Sequence, residues 1–178
     1  MAITTLNNRA INRADTAASG ESWTATSATA SDFQAGGGTN TPAFLAYRSS
    51  SAFSLPNEVY TKVVFNAEKY DTDSGFNITT GEFTAPEAGK YLLGAMLSIS
   101  AGNPNRFVLR MQVNGASIIF SDAEATSAPV ANLTSTIRLL SASDVVKVDG
   151  YQDSGSAQNL NFSSTATYNY FFGMKIIE

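Results

Sequence analysis

Residues 65–93 read FNAEKYDTDSGFNITTGEFTAPEAGKYLL. A strand runs into an acidic turn, a short strand ends at Phe83, a turn carries Pro86 and Gly89, and a further strand opens at Tyr91. Five residues separate Phe65 from Asp71, four separate Asp71 from Phe76, and six separate Phe76 from Phe83; five more lead to Gly89. This spacing puts aromatic anchors at strand ends, where they plug a sandwich core. Pro86 and Gly89 fall where the backbone must turn a corner.

The pattern resembles the signature of the globular head of the first complement component, and with it the wider tumour-necrosis-factor-like jelly roll. Asn66 and Tyr70 offer a second register for the positions given to Asp71 and Phe76. After Tyr91 the chain has Leu93 and Ala95 where that family usually carries aromatics.

Working outward, residues 42–178 keep an all-β rhythm of strands spaced by turns. Short strands are expected at Phe44–Tyr47 and Tyr60–Phe65. In KYLLGAMLSIS (90–100), Tyr91, Leu93, Ala95, Leu97 and Ile99 share one face and read as core; Leu92, Gly94, Met96 and Ser98 share the other. That second face is too apolar for open water and too small for a second core, so another surface should approach it. In Arg106–Val113, Phe107, Leu109, Met111 and Val113 are expected inward, and Arg106, Val108, Arg110 and Gln112 mostly outward. Asn114-Gly115 reads as a two-residue hairpin returning through Ser117–Phe120. A strand follows through Leu133, Ile137, Leu139 and Leu140. Ser143-Asp144 then turns the chain into Val145–Val148, with serine where the resembled family has glycine. The closing ATYNYFFGMKII (166–177) has Ala166, Tyr168, Tyr170, Phe172, Met174 and Ile176 on one apolar face, with Phe171 and Ile177 on the other. A strand apolar on both sides belongs mid-sheet.

The resemblance, spanning about 42–178, implies a two-sheet jelly-roll sandwich that forms tight homotrimers through one sheet, with the strands opening at Tyr91 and ending at Ile177 near the three-fold axis. Leu92, Gly94, Met96 and Phe171 are the candidate trimer-interface residues. The bland alternative is that they pack under a loop of the same subunit.

Residues 1–40 differ in kind, being dominated by Ala, Ser, Thr, Asn and Gly. Such a leader cannot bury enough apolar surface to fold alone, and Gly36–Gly38 read as a hinge before the domain at 41–178. Composition alone allows a floppy leader. Ordering an arm costs roughly 1–2 kcal/mol per residue, so an ordered one needs grips, and Ile3, Leu6, Ile11, Trp23 and Phe33 are the candidates. LNNRAINRADTA and WTATSATASDFQ are similar to the openings of small structural proteins of marine tailed bacteriophages.

The chain has 178 residues, enough for one domain with a real core, with no cysteine and no histidine. Disulfides and thiolate metal sites are excluded, and the commonest general base and metal ligand are both missing. Fifteen acidic against eleven basic residues, evenly spread, give a net charge of −4 and no basic face for nucleic acid. No apolar run approaches the ~20 residues of a membrane span, and no secretory leader is seen. The expectation is a soluble product without membrane insertion.

Serines lack a base and a nucleophile elbow. The carboxylate pairs Asp71/Asp73 and Asp122/Glu124 sit in short polar segments that read as turns, where acids bond backbone amides. The resemblance leaves a surface calcium open, since some members of that family carry one; Asp71 and Asp73 offer two carboxylates but few of the oxygens calcium takes. Three Asn-x-Ser/Thr triplets, at Asn77, Asn132 and Asn161, are expected by chance in this composition. The sequence therefore reads as a non-enzymatic protein without cofactor or metal. The expected setting is a virion assembled in the host cytoplasm, with a homotrimeric knob whose arm, 1–40, meets capsid or tail proteins as capsid decoration or a short head fibre. The alternative is a tail-fibre tip or adhesin recognising a host surface glycan or protein through loops 48–58, 101–105 and 152–158. A third is a soluble bacterial relative with no virion.

Overall fold

A computed structural model of the chain describes residues 41–50, 52–124 and 129–176. The leader, with Ile3, Leu6, Ile11, Trp23 and Phe33, lies outside the described residues, as does Ile177. The described chain is all β. In order it forms β1 (Ala43–Tyr47), β2 (Phe53–Leu55), β3 (Thr61–Lys62), β4 (Ala67–Asp71), β5 (Phe76–Asn77), β6 (Glu82–Thr84) and β7 (Gly89–Ile99). There follow β8 (Phe107–Val113), β9 (Ala116–Ala123), β10 (Val130–Leu140), β11 (Val145–Gln152), β12 (Gln158–Leu160) and β13 (Tyr170–Lys175).

These strands make a two-sheet jelly roll. The seven-stranded sheet runs β2-β12-β7-β13-β1-β4, with β10 along the other side of β7. The six-stranded sheet runs β5-β6-β11-β8-β9, with β3 also on β11. β13 lies between β7 and β1, the mid-sheet place its two apolar faces require.

The 65–93 stretch feeds the space between the sheets. Phe65, Phe76, Phe83 and Tyr91 are all buried. Phe44 is stacked on Phe83 at 4.4 Å and on Phe76 at 5.3 Å, with Phe171 edge-on at 4.9 Å, while Phe65 packs on Phe171 and Tyr91 on Phe83. Offset stacks and edge contacts of this kind add about 0.5–1.5 kcal/mol each beyond the area they bury. Leu93, Ala95, Leu97 and Ile99 are fully buried beside them, on the face that strand parity assigned to the core. Gly173 is required here, because a Cβ on it would lie 2.6 Å from the Phe44 ring.

The turns obey their backbone chemistry. Asn114 and Gly115 both have positive φ (49° and 83°), the two-residue hairpin expected between β8 and β9. Ser143 has φ 73°, the left-handed region that glycine enters without a Cβ penalty. Serine at this position therefore carries strain. Ser143→Gly should raise stability by about 0.5–1 kcal/mol, a gain of about 1–4 °C in Tm by calorimetry.

Three expectations are corrected. The strand expected over Tyr60–Phe65 is only β3: the Val63 N–H still donates to the Val148 carbonyl at 2.8 Å, but beyond it β6 takes the same side of β11, pairing Val145–Lys147. Val108 and Gln112, expected outward, are buried. The face they occupy is covered: Tyr60 and Tyr151 pack there with ring centres 4.9 Å apart, and the Arg110 guanidinium lies 3.9 Å over Tyr60 while pairing with Asp149 at 2.6 Å. The closing strand starts at Tyr170 rather than Ala166, for a reason given below.

Candidate interaction face and loop pole

Three cross-strand rows run across the outward face of the seven-stranded sheet. One is Ile137-Leu92-Met174-Ala43; the next is Ser135-Gly94-Phe172-Leu45-Tyr70; the third is Leu133-Met96-Tyr170-Tyr47. No charged residue stands in them. Leu92, Met96, Tyr170, Phe172 and Met174 are half-buried, while Leu133 and Ile137 are 59% and 57% exposed, and Leu139, next along β10, is 77% exposed. Phe120 on the adjoining edge of the other sheet is 66% exposed. Contiguous apolar surface of this kind marks an interaction site rather than ordinary surface.

Gly94 lets the face lie flat. A Cβ there would fall 2.4 Å from the Phe172 ring, which covers the glycine directly across the ladder. Leu92, Gly94 and Met96 are thus brought together on the face expected of them. Phe171 is not. It is fully buried, edge-on to Phe44, because in β13 the odd position points into the core and Tyr170, Phe172 and Met174 point out. Its parity already separated it from those three in the sequence. Leu133, Ile137 and Leu139 share one parity too, which was the available signal for the β10 half of the face.

The domain has two unlike poles. At one, the chain enters β1 and leaves β13, with the Lys175 N–H donating to the Pro42 carbonyl at 2.9 Å, among the tight turns at 72–75, 85–88 and 141–144. At the other lie residues 48–50 and the connections 100–106, 153–157 and 161–169, so parts of all three expected recognition loops gather there. Within the first and third, Phe53–Leu55 and Gln158 belong instead to the edge strand β2 and its neighbour β12, and Gln152 to β11.

Three buried amide side chains stitch this loop pole, and none was legible as such in the sequence. β13 ends at Tyr170, opposite Met96, and β12 meets β7 at Ile99, so Ser98 faces a gap between two strands. Asn169, fully buried, fills it. Its Oδ1 accepts from the Ser98 N–H at 2.7 Å, and its Nδ2 donates to the carbonyls of Ser98 (3.1 Å) and Asn161 (2.6 Å). One side chain thereby replaces a strand residue. Asn132 Nδ2 likewise donates to the Phe107 and Ser121 carbonyls, both at 2.7 Å, tying β10 to the other sheet. Gln152 donates to the Leu55 and Ser156 carbonyls and accepts from Ser154.

The acidic pairs are occupied with structure. Asp71 accepts from the Gly75 and Phe76 N–H groups at 3.1 and 2.8 Å, closing the turn of the deciding stretch, and Asp73 accepts from Thr72. Asp122 is paired with Arg106 at 2.8 Å. Among the described residues no three His, Cys, Asp or Glu side chains gather in a metal-holding group, and no helix is long and apolar enough to cross a membrane.

Two carboxylates have pKa values below their usual range: Glu82 through its hydrogen bond from Lys62, and Asp144 through the Ser141 N–H and then the Asn114 amide. A carboxylate with a depressed folded pKa stabilises the fold above its unfolded pKa and loses that contribution as pH falls through the folded value. With no histidine to titrate, Tm should be flat from about pH 8 to about pH 5.5 and fall below about pH 4. A calorimetric pH series checks this.

The C1q domain family matches residues 43–173. No curated protein sequence matches the chain significantly. Solved structures with a similar fold include the globular domain of zebrafish complement 1qA protein, 22% identical, covering 78% of this chain and 99% of that one with a TM-score of 0.60. Murine APRIL is 12% identical, with 75% and 98% covered and a TM-score of 0.59. PRD1 vertex protein P5 is 16% identical, with 79% and 100% covered and a TM-score of 0.60.

Proposed function

Since the chain belongs to the C1q domain family, we propose that it is a non-enzymatic structural module. Its jelly roll closes into a homotrimer through the outward face of the seven-stranded sheet, and the trimer is a knob on a phage particle, held there by residues 1–40. The observation that carries the reading is the uncharged, apolar set of rows across β10, β7, β13 and β1. Each Å² of that surface removed from water returns about 25 cal/mol. A closed three-fold ring is heterologous, so it needs two different patches that meet. The exposed edge of β10 (Leu133, Ile137, Leu139) and the half-covered face around Met96, Tyr170 and Phe172 supply them.

Sedimentation velocity on dilute purified protein tests the assembly: the mass should be that of three chains, and a stable monomer overturns it. The particle setting draws support from the similarity of the leader to phage structural proteins and from a fold shared with a vertex protein. Binding to purified empty phage heads, lost on deleting residues 1–35 with the trimer intact, tests that part. A second reading, recognition of a host surface, is favoured by the gathering of the long connections at the pole away from the chain's entry.

A further inference from the structure

A pocket of about 370 Å³ opens at the loop pole, between the end of β7, the start of β10 and the segment after β12. Met96, Ser98, Ser100, Ala131, Asn161 and Tyr168 line it. It sits on the rim of the apolar face, its serines one and two outward positions past Met96. We propose that this pocket binds one ring of a neutral sugar, stacked on Tyr168 and hydrogen-bonded by Ser98, Ser100 and Asn161. The inference rests on the recognition reading of the domain and names its ligand class.

The chemistry of the lining selects the ligand. The volume lies at the small end of ligand pockets, which suits a single ring. A sugar ring has an apolar C–H face and a rim of hydroxyls, and the pocket answers both: aliphatic and aromatic side chains for the first, hydroxyls and an amide for the second. No charged side chain lines it, so an anionic ligand finds no counter-charge.

The polar groups have capacity left. Ser98 Oγ accepts from Asn161 Nδ2 at 2.8 Å, which leaves the Ser98 O–H to donate. Asn161 Oδ1 and the hydroxyls of Ser100 and Tyr168 make no hydrogen bond among the described residues. They are also held in place before any ligand arrives. Asn169 grips the backbone of both Ser98 and Asn161, and the hydroxyls of Ser163, Thr165 and Thr167 bond one another at 2.8 and 2.5 Å in the segment leading to Tyr168. Groups fixed in advance lose less entropy on binding. Tyr168 is 45% exposed, so its ring is reachable.

The test is saturation-transfer NMR on the full chain with the methyl glycosides of glucose, galactose, mannose and N-acetylglucosamine, and sialic acid as the anionic comparator, with sedimentation run in parallel. At least one neutral glycoside should bind with a millimolar Kd. Tyr168→Ala should weaken it about tenfold or more, Tyr168→Phe should keep most of the affinity, and neither should change the sedimenting mass. No binding by any neutral glycoside, equal binding by Tyr168→Ala, loss of binding in Tyr168→Phe, or tighter binding of sialic acid overturns the proposal. A trimer that binds none sinks this inference alone. A monomer that binds leaves it standing and sinks the assembly.

Discussion

Met96→Arg should sediment as a single folded chain, or aggregate, where the parent should sediment as the proposed trimer. Met96 stands in register between Leu133 and Tyr170, half-buried in the row of the outward face nearest the loop pole. In the assembled ring an arginine there has no carboxylate in its own row or the rows beside it, so it must lose water without gaining a partner. At about 3 kcal/mol for each of three contacts, the association constant drops by about six orders of magnitude. Inside the monomer the position faces outward, so the circular dichroism of the β-sheets should be kept. The neighbour by parity behaves differently. Leu93 is fully buried, and Leu93→Asp should abolish folding by burying an unpaired charge. An intact Met96→Arg trimer would show that the face is not the contact.

Asn169→Leu should lower Tm by about 5–20 °C while leaving the strands in place at lower temperature. The leucine is close to asparagine in size but neither accepts nor donates. It strands the Ser98 N–H and the Asn161 carbonyl in the gap between the strands, while the Ser98 carbonyl keeps the Asn161 N–H at 2.9 Å. Each orphaned buried group costs about 1–3 kcal/mol, so the two together cost about 2–6 kcal/mol. Asn169→Asp is the informative companion: it keeps the acceptor for the Ser98 N–H and sets a carboxylate against two carbonyls, so it too should destabilise. Thermal melts of the two variants check the assignment. A loss below about 1 kcal/mol in Asn169→Leu would mean that the gap between β12 and β13 is bridged by other means.

Particular residues show how much was readable. The spacing of Phe65, Phe76, Phe83 and Tyr91 marked a sandwich core, because aromatic residues at strand ends plug one, and the family resemblance carried by the same stretch implied the jelly roll. Parity along β7 separated Leu93 from Met96 correctly, since successive side chains of a strand point to opposite faces whatever it pairs with. The same rule, applied to β13, placed Tyr170, Phe172 and Met174 together. Taking Phe171 as the contact instead overlooked that the space between the sheets needed one more ring, against Phe44.

Period-two patterning and turn chemistry are local, so the sequence by itself determined the long strands β7, β8 and β10, the Asn114-Gly115 hairpin, the core face and the apolar face behind it. Partners far apart in the chain are not local. That Asn169 completes a ladder for Ser98, 71 positions away, that Asn132 ties two sheets, and that Ser100, Ala131 and Tyr168 share one pocket were decided only when the tertiary structure closed. Buried polar side chains take their meaning from which backbone groups the fold leaves unpaired, and no stretch of sequence carries that information alone.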